Sequence, residues 1–60
     1  MSDKLKKLLD KKNISQSELA ENVGVSHVFI CYLVKGYKQP SVALLKRIAD
    51  YLGVKMEDLI

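Results

Sequence analysis

The chain has 60 residues, enough for one domain, and 48% of them are hydrophobic, which favours a folded core over disorder. A single cysteine excludes an internal disulfide, and no apolar run is long enough to span a bilayer. The net charge is +3 at pH 7, and no apolar stretch follows the N-terminal lysines as it would in a signal peptide, so we expect a cytoplasmic protein.

The first two helices are predicted over about residues 2–12 and 16–23. Leucines at helical spacing give the first an apolar stripe, and Ser15 with Glu18 three residues later forms a capping box for the second. Gly24 is the residue type expected at a helix C-terminus, where the backbone takes the left-handed conformation. Because no segment alternates apolar and polar residues as a strand would, the predicted fold class is all-α.

The third helix is predicted between a capping Ser26 and a closing Gly36, and it is apolar on almost every side. Helical spacing divides its side chains into two faces. The face expected to point to the core consists of Phe29, Ile30 and Leu33. The other face consists of Val28, Cys31, Tyr32 and Lys35. A short helix on a small domain buries only one face, so the second face is free for another role.

The last two helices complete the predicted domain. One is predicted over about residues 42–52, after a Pro-Ser pair, and ends at Gly53. A final turn or two is predicted over about residues 56–60, where Lys55 is a poor N-cap. The five helices would form a single compact domain over residues 1–60.

The spacing of the second and third helices predicts a helix-turn-helix over about residues 16–35. Gly24 tolerates the positive φ that a three-residue turn requires, and the small Ala20 permits a close helix crossing. Apolar side chains would fill the angle between the two helices. They are Leu19, Val23, Val25, Ile30 and Leu33. In such a unit the second helix enters the major groove of DNA.

The sequence resembles the lambda-repressor-like Cro/cI (XRE) family of helix-turn-helix domains. The matching text is ISQSELAENVGVS, then Gly36, QPSVALLKRIADYLGV and the closing EDLI, within about residues 4–60. The resemblance implies a compact five-helix bundle that binds double-stranded DNA sequence-specifically. It also implies a transcriptional regulator, most often a repressor, that works as a homodimer on a palindromic operator.

The resemblance further implies which residues contact DNA. Gln16 would bond a phosphate and brace the third helix, and the dipole at the start of its own helix favours a phosphate there. The third helix would present residues from both its ends and its middle to the bases. They are Ser26, His27, Val28, Cys31, Tyr32 and Lys35. The following loop would grip the DNA backbone through Tyr37, Lys38 and Gln39.

The positions predicted to contact the bases depart from the family pattern. Family members commonly have glutamine, arginine, lysine or serine where this chain has Val28, Cys31 and Tyr32, so residues 26–34 offer no arginine or lysine to a guanine. One hypothesis is that Val28 and Tyr32 pack on thymine methyl groups, with A·T pairs in the half-site. The alternative is a protein-interaction module, of the antitoxin or anti-repressor type, that uses the same apolar face.

Other kinds of chemistry are not predicted. His27 has no cluster of cysteine, aspartate or glutamate around it in the sequence, so we expect no metal site. The absence of a nucleophile–base pair or a phosphate-cradling loop predicts no enzyme, no cofactor and no small-molecule substrate. Residues 27–40 carry two lysines and no acidic residue, a pattern compatible with a polyanionic partner.

Overall fold

A computed structural model describes residues 2–60, and the regular elements within these residues are all helical. The elements in chain order are α1 (Ser2–Lys12), α2 (Gln16–Val23), α3 (His27–Lys35), α4 (Val42–Leu52) and a 3-10 turn (Met56–Asp58). The predicted all-α fold is confirmed. None of the described helices is long and apolar enough to cross a membrane.

The final turn or two predicted over about residues 56–60 is a single 3-10 turn, so the described residues form four α-helices and this turn. The Lys55 side chain has no oxygen that could cap the first turn, and the Asp58 carboxylate accepts the backbone N–H of Lys55 instead, at 3.1 Å. Leu59, directly after this turn, is fully buried. The segment therefore closes the core mainly through Leu59, with Met56 partly buried against the same core.

Local sequence signals set the ends of the other helices. The hydroxyl oxygens of Ser15, Ser26 and Ser41 accept the backbone N–H of the residue three positions later, at 3.0, 3.1 and 3.2 Å. Gly24 ends α2 with a φ of +79°, in the left-handed region that favours glycine. The serine caps and this glycine therefore fix where α2 stops and α3 starts.

The core lies between the helices and is built from apolar side chains alone. Its fully buried members are Leu5, Leu19, Ile30, Leu33, Ile48 and Leu59. α2 packs against both α3 and α4, and α1 packs against α3. Phe29, which was expected in the core, is only half-buried at its margin, because it lies on the side of α3 that faces an open groove.

Two polar contacts tie α4 to α2. The Arg47 guanidinium donates to the backbone carbonyl of Val23 at 3.4 Å, and the Tyr51 hydroxyl donates to the Glu18 carboxylate at 2.9 Å. The hydrogen bond to that carboxylate favours the protonated phenol and raises the pKa of Tyr51 above its ordinary value of 10.0. α4 thus holds α2 at both its first turn and its C-terminus, and α2 in turn supports α3.

Candidate nucleic-acid interface

The helix-turn-helix is formed by α2, the turn Gly24–Val25–Ser26 and α3. The backbone N–H groups of Gly24 and Val25 both donate to the carbonyl of Ala20, each at 3.0 Å, which closes the end of α2. The filling side chains predicted on the two helices, Leu19, Val23, Ile30 and Leu33, are all buried. Val25, in the turn, is half-buried against the same core. α3 therefore rests on α2 through one face only.

The opposite side of α3 is open to solvent. We call it the outer α3 surface, consisting of Val28, Cys31, Tyr32 and Lys35. Val28 is 58% exposed and Tyr32 is 38% exposed, while Cys31 lies half-buried between them and Lys35 is exposed. The two faces predicted from helical spacing are thus separated in the structure, apart from the marginal position of Phe29.

A tight helix end brings the following loop back onto this surface. Gly36 has a φ of +80°, and the backbone N–H of Tyr37 donates to the carbonyl of Tyr32 at 2.9 Å, in the pattern of a Schellman cap. The ring centroids of Tyr32 and Tyr37 are 6.1 Å apart at an angle of 45°. The two tyrosines therefore form one continuous aromatic strip along the end of α3.

One lysine ammonium lies over each ring of this strip. The Nζ of Lys35 lies 6.0 Å from the ring centroid of Tyr37, and the Nζ of Lys38 lies 6.0 Å from that of Tyr32. We call these four residues the aromatic–lysine cluster. Each was predicted as a separate DNA contact, but their mutual packing was not. The cluster places two positive charges beside the apolar part of the outer α3 surface.

The remaining predicted site residues lie at the edges of this region. Ser26 and His27 are exposed at the start of α3, where the Ser26 oxygen is already used as the N-cap acceptor. Gln16 is half-buried at the first position of α2, and Gln39 is exposed in the loop before α4. Their roles toward DNA remain predictions. Within residues 2–60, no group of three or more histidine, cysteine, aspartate or glutamate side chains could hold a metal ion.

A comparison with protein families matches residues 5–59 to the family described as helix-turn-helix. The chain belongs to the Cro/cI-like (XRE) helix-turn-helix family. The match covers all four helices except the first three residues of α1, and so includes the whole of the outer α3 surface. The resemblance noted in the sequence is thereby confirmed.

Relatives of this helix-turn-helix protein occur in archaea and bacteria. An uncharacterized HTH-type transcriptional regulator of Methanocaldococcus jannaschii is 41% identical over 59 residues, which are 98% of this chain and 89% of that protein. A second, from Bacillus subtilis, is 36% identical over 59 residues, with the same coverage of 98% and 89%. The crystal structure of the restriction-modification controller protein C.AhdI from Aeromonas hydrophila superposes with a TM-score of 0.92 at 22% identity, covering 98% of this chain and 89% of that one. That likeness establishes the fold.

Sequence reasoning on this helix-turn-helix protein missed Arg47. Its guanidinium reaches the end of α2, and it lines an open groove of about 520 Å³ together with Ser26, Phe29 and Ser41. The groove lies where the helix-turn-helix meets the start of α4. Arg47 directly precedes the core residue Ile48, so it lies at the edge of the buried face of α4. This position is the sequence signal that could have placed Arg47 near α2.

Proposed function

We propose that this helix-turn-helix protein is a sequence-specific DNA-binding transcriptional regulator that acts as a repressor in the cytoplasm. α3 would lie in the major groove with the outer α3 surface against the base edges. The observation that carries the proposal is the exposure of this surface beside two lysines, in a segment, residues 27–40, that has no acidic residue. Repression requires only that the operator is occupied, which a DNA-binding domain achieves by itself.

The contacts divide into two groups by their chemistry. Lys38, Tyr37 and Gln39, in the loop after α3, would hold the DNA backbone, as would the N-terminus of α2 at Gln16. Phosphate contacts of this kind give affinity and register but carry no sequence information. The middle of α3 would contribute the sequence preference, with Ser26, His27 and Lys35 at its two ends.

We also propose a homodimer on a palindromic operator. The domain measures 23 × 23 × 19 Å, whereas equivalent positions in neighbouring major grooves on one side of DNA lie about 34 Å apart. One copy therefore reaches one half-site. Two copies related by a twofold axis would read two inverted half-sites, which is how dimeric helix-turn-helix proteins gain affinity and specificity.

A second candidate function is a protein-interaction module that uses Val28, Cys31 and Tyr32. The exposed, apolar character of Val28 and Tyr32 favours it, because apolar surface often marks contact with another protein. The lysines beside them favour DNA. Fluorescence anisotropy with labelled duplex DNA, measured from low to physiological salt, separates the two candidates. Binding that strengthens steeply as salt falls supports the DNA-binding function, and no binding at any salt concentration contradicts it.

Lys38→Ala is expected to weaken binding to every duplex by a similar factor. A lysine on a phosphate displaces about one counterion, so the slope of log K against log salt should become shallower by about one unit. The measurement is a salt series with one specific and one unrelated duplex. Lys55→Ala is the control, since Lys55 is an exposed lysine at the 3-10 turn that pairs with Glu57 at 3.9 Å. An unchanged slope in Lys38→Ala would rule out its phosphate contact.

A further inference from the structure

The outer α3 surface has an apolar centre between polar ends. Val28 and Tyr32 are one helical turn apart and both exposed, and Cys31 lies half-buried between them. Neither valine nor a cysteine thiol, which is only a weak donor, can make the paired hydrogen bonds by which arginine, asparagine and glutamine distinguish base edges. A tyrosine hydroxyl offers one hydrogen bond but not a pair. Selection at the centre of this surface therefore depends mainly on apolar contact.

The major groove presents one apolar feature among its base edges, the C5-methyl group of thymine. 5-Methylcytosine carries the same methyl group at the same ring position. The other base edges present hydrogen-bonding atoms, and pressing an apolar side chain against them removes water from those atoms without replacing its hydrogen bonds. An apolar reading surface thus favours a methylated pyrimidine and disfavours the alternatives at the same position.

The charges around the surface favour DNA over a protein as its partner. Lys35 and Lys38 lie over the tyrosine rings at its C-terminal end, and no acidic residue occurs in residues 27–40. An apolar protein surface would leave both ammonium groups without a partner of opposite charge. Duplex DNA matches both features, because phosphates lie along the rim of the groove and methyl groups lie on its floor.

The aromatic–lysine cluster also holds Tyr32 in place. Its ring contacts the ring of Tyr37 on one side and lies 6.0 Å from the Lys38 ammonium. A side chain that is already packed loses less conformational freedom when it binds. Tyr32 is therefore suited to discriminate between bases that differ by one methyl group, where the expected difference in binding is small.

We propose that the outer α3 surface selects pyrimidines that carry a C5-methyl group, with Val28 and Tyr32 as the specificity-determining residues. The inference rests on the proposed DNA-binding function and names what its reading surface recognises. Because the two side chains are one turn of helix apart, their methyl contacts fall on nearby base pairs of one half-site. Thymine and 5-methylcytosine are the two bases that carry this methyl group.

The test starts from a duplex enriched by the protein from a random DNA pool. Each thymine of the half-site is replaced singly by uracil, which removes only the methyl group. Burying a group of this size is worth about fourfold in affinity, so we expect about a fourfold loss at each contacted position. In a second arm, each contacted T·A pair is replaced singly by C·G, with the cytosine either plain or 5-methylated. The methylated duplex is expected to bind about fourfold more tightly than the plain one.

Variants connect the effect to the two side chains. Val28→Ala should abolish the loss caused by uracil at one position and leave it at the other, and Tyr32→Ala should do the reverse. Val42→Ala is the matched control, a valine 75% exposed at the start of α4, and it should retain the full effect of uracil at both positions. Helical content measured by circular dichroism confirms that each variant is folded.

Four results would overturn the methyl inference, its assignment to two residues, or the proposed function. Equal affinity for thymine and uracil at every position overturns the methyl inference and leaves the proposed function standing. Uracil effects that persist in both Val28→Ala and Tyr32→Ala overturn the assignment to these residues. A methylated duplex that binds no better than plain cytosine overturns recognition of the methyl group itself. Failure to enrich any duplex overturns the proposed function, and the inference with it.

Discussion

Tyr32→Ala is expected to weaken binding to a specific duplex by about 30-fold. The substitution removes the largest side chain of the outer α3 surface, and burying a side chain of this size against DNA is worth about 2 kcal/mol. It also removes the ring beside which Tyr37 and Lys38 lie, so these two side chains lose that contact. The measurement is an anisotropy titration with the specific duplex at one fixed salt concentration.

Two controls accompany this loss of affinity. Tyr32→Phe tests the hydroxyl group separately from the ring, and a melting curve tests whether the alanine variant is folded. Phenylalanine retains the ring and should keep most of the affinity, since the cluster depends on the ring and not on the hydroxyl. Because Tyr32 is 38% exposed and lies outside the buried core, the alanine variant should melt close to the parent protein. An alanine variant that binds the duplex as tightly as the parent would contradict the role of Tyr32.

Ile30→Ala is expected to lower the free energy of unfolding by about 2–5 kcal/mol. Ile30 is fully buried and lies on the face of α3 that packs against α2, so its truncation leaves a cavity inside the helix-turn-helix. A domain of this size has about 3–9 kcal/mol of stability in total. The loss is a large fraction of that total, so the variant should unfold at a much lower urea concentration than the parent protein, and its DNA binding should weaken as the folded fraction falls.

Urea denaturation followed by circular dichroism measures this effect. Val42→Ala removes the same class of side chain from an exposed position and should change the free energy of unfolding by less than about 0.5 kcal/mol. If Ile30→Ala unfolded at the same urea concentration as the parent protein, the assignment of Ile30 to the buried face of α3 would be wrong.

Local rules were enough to predict most of the fold from the sequence. Serine caps such as Ser15 and Ser26 act on residues within the next four positions, and Gly24 acts through its own φ. Each of these effects can therefore be predicted from a short segment of sequence. The spacing of Ile30 and Leu33 likewise identified the buried face of α3 without knowledge of its partner helices. Family resemblance then implied that these helices form one compact bundle.

Features that depend on contacts between elements were not predictable in the same way. The aromatic–lysine cluster exists because Tyr37 is folded back onto Tyr32 by the helix end at Gly36, and no periodicity in the loop encodes this. The contact from Arg47 to Val23 joins residues 24 positions apart. The final segment forms a 3-10 turn, closed by the backbone bond from the Leu59 N–H to the Met56 carbonyl at 3.0 Å, which the sequence did not distinguish from an α-helical turn.

A map of backbone amide chemical shifts tests most directly whether the outer α3 surface meets DNA. The labelled protein is titrated with the enriched duplex, and a duplex of unrelated sequence serves as the comparison. We expect the largest shift changes within residues 26–39 and at Gln16, with changes in the middle of α3 specific to the enriched duplex. Shift changes concentrated on the later part of α4 and the 3-10 turn, with α3 unaffected, would contradict this expectation.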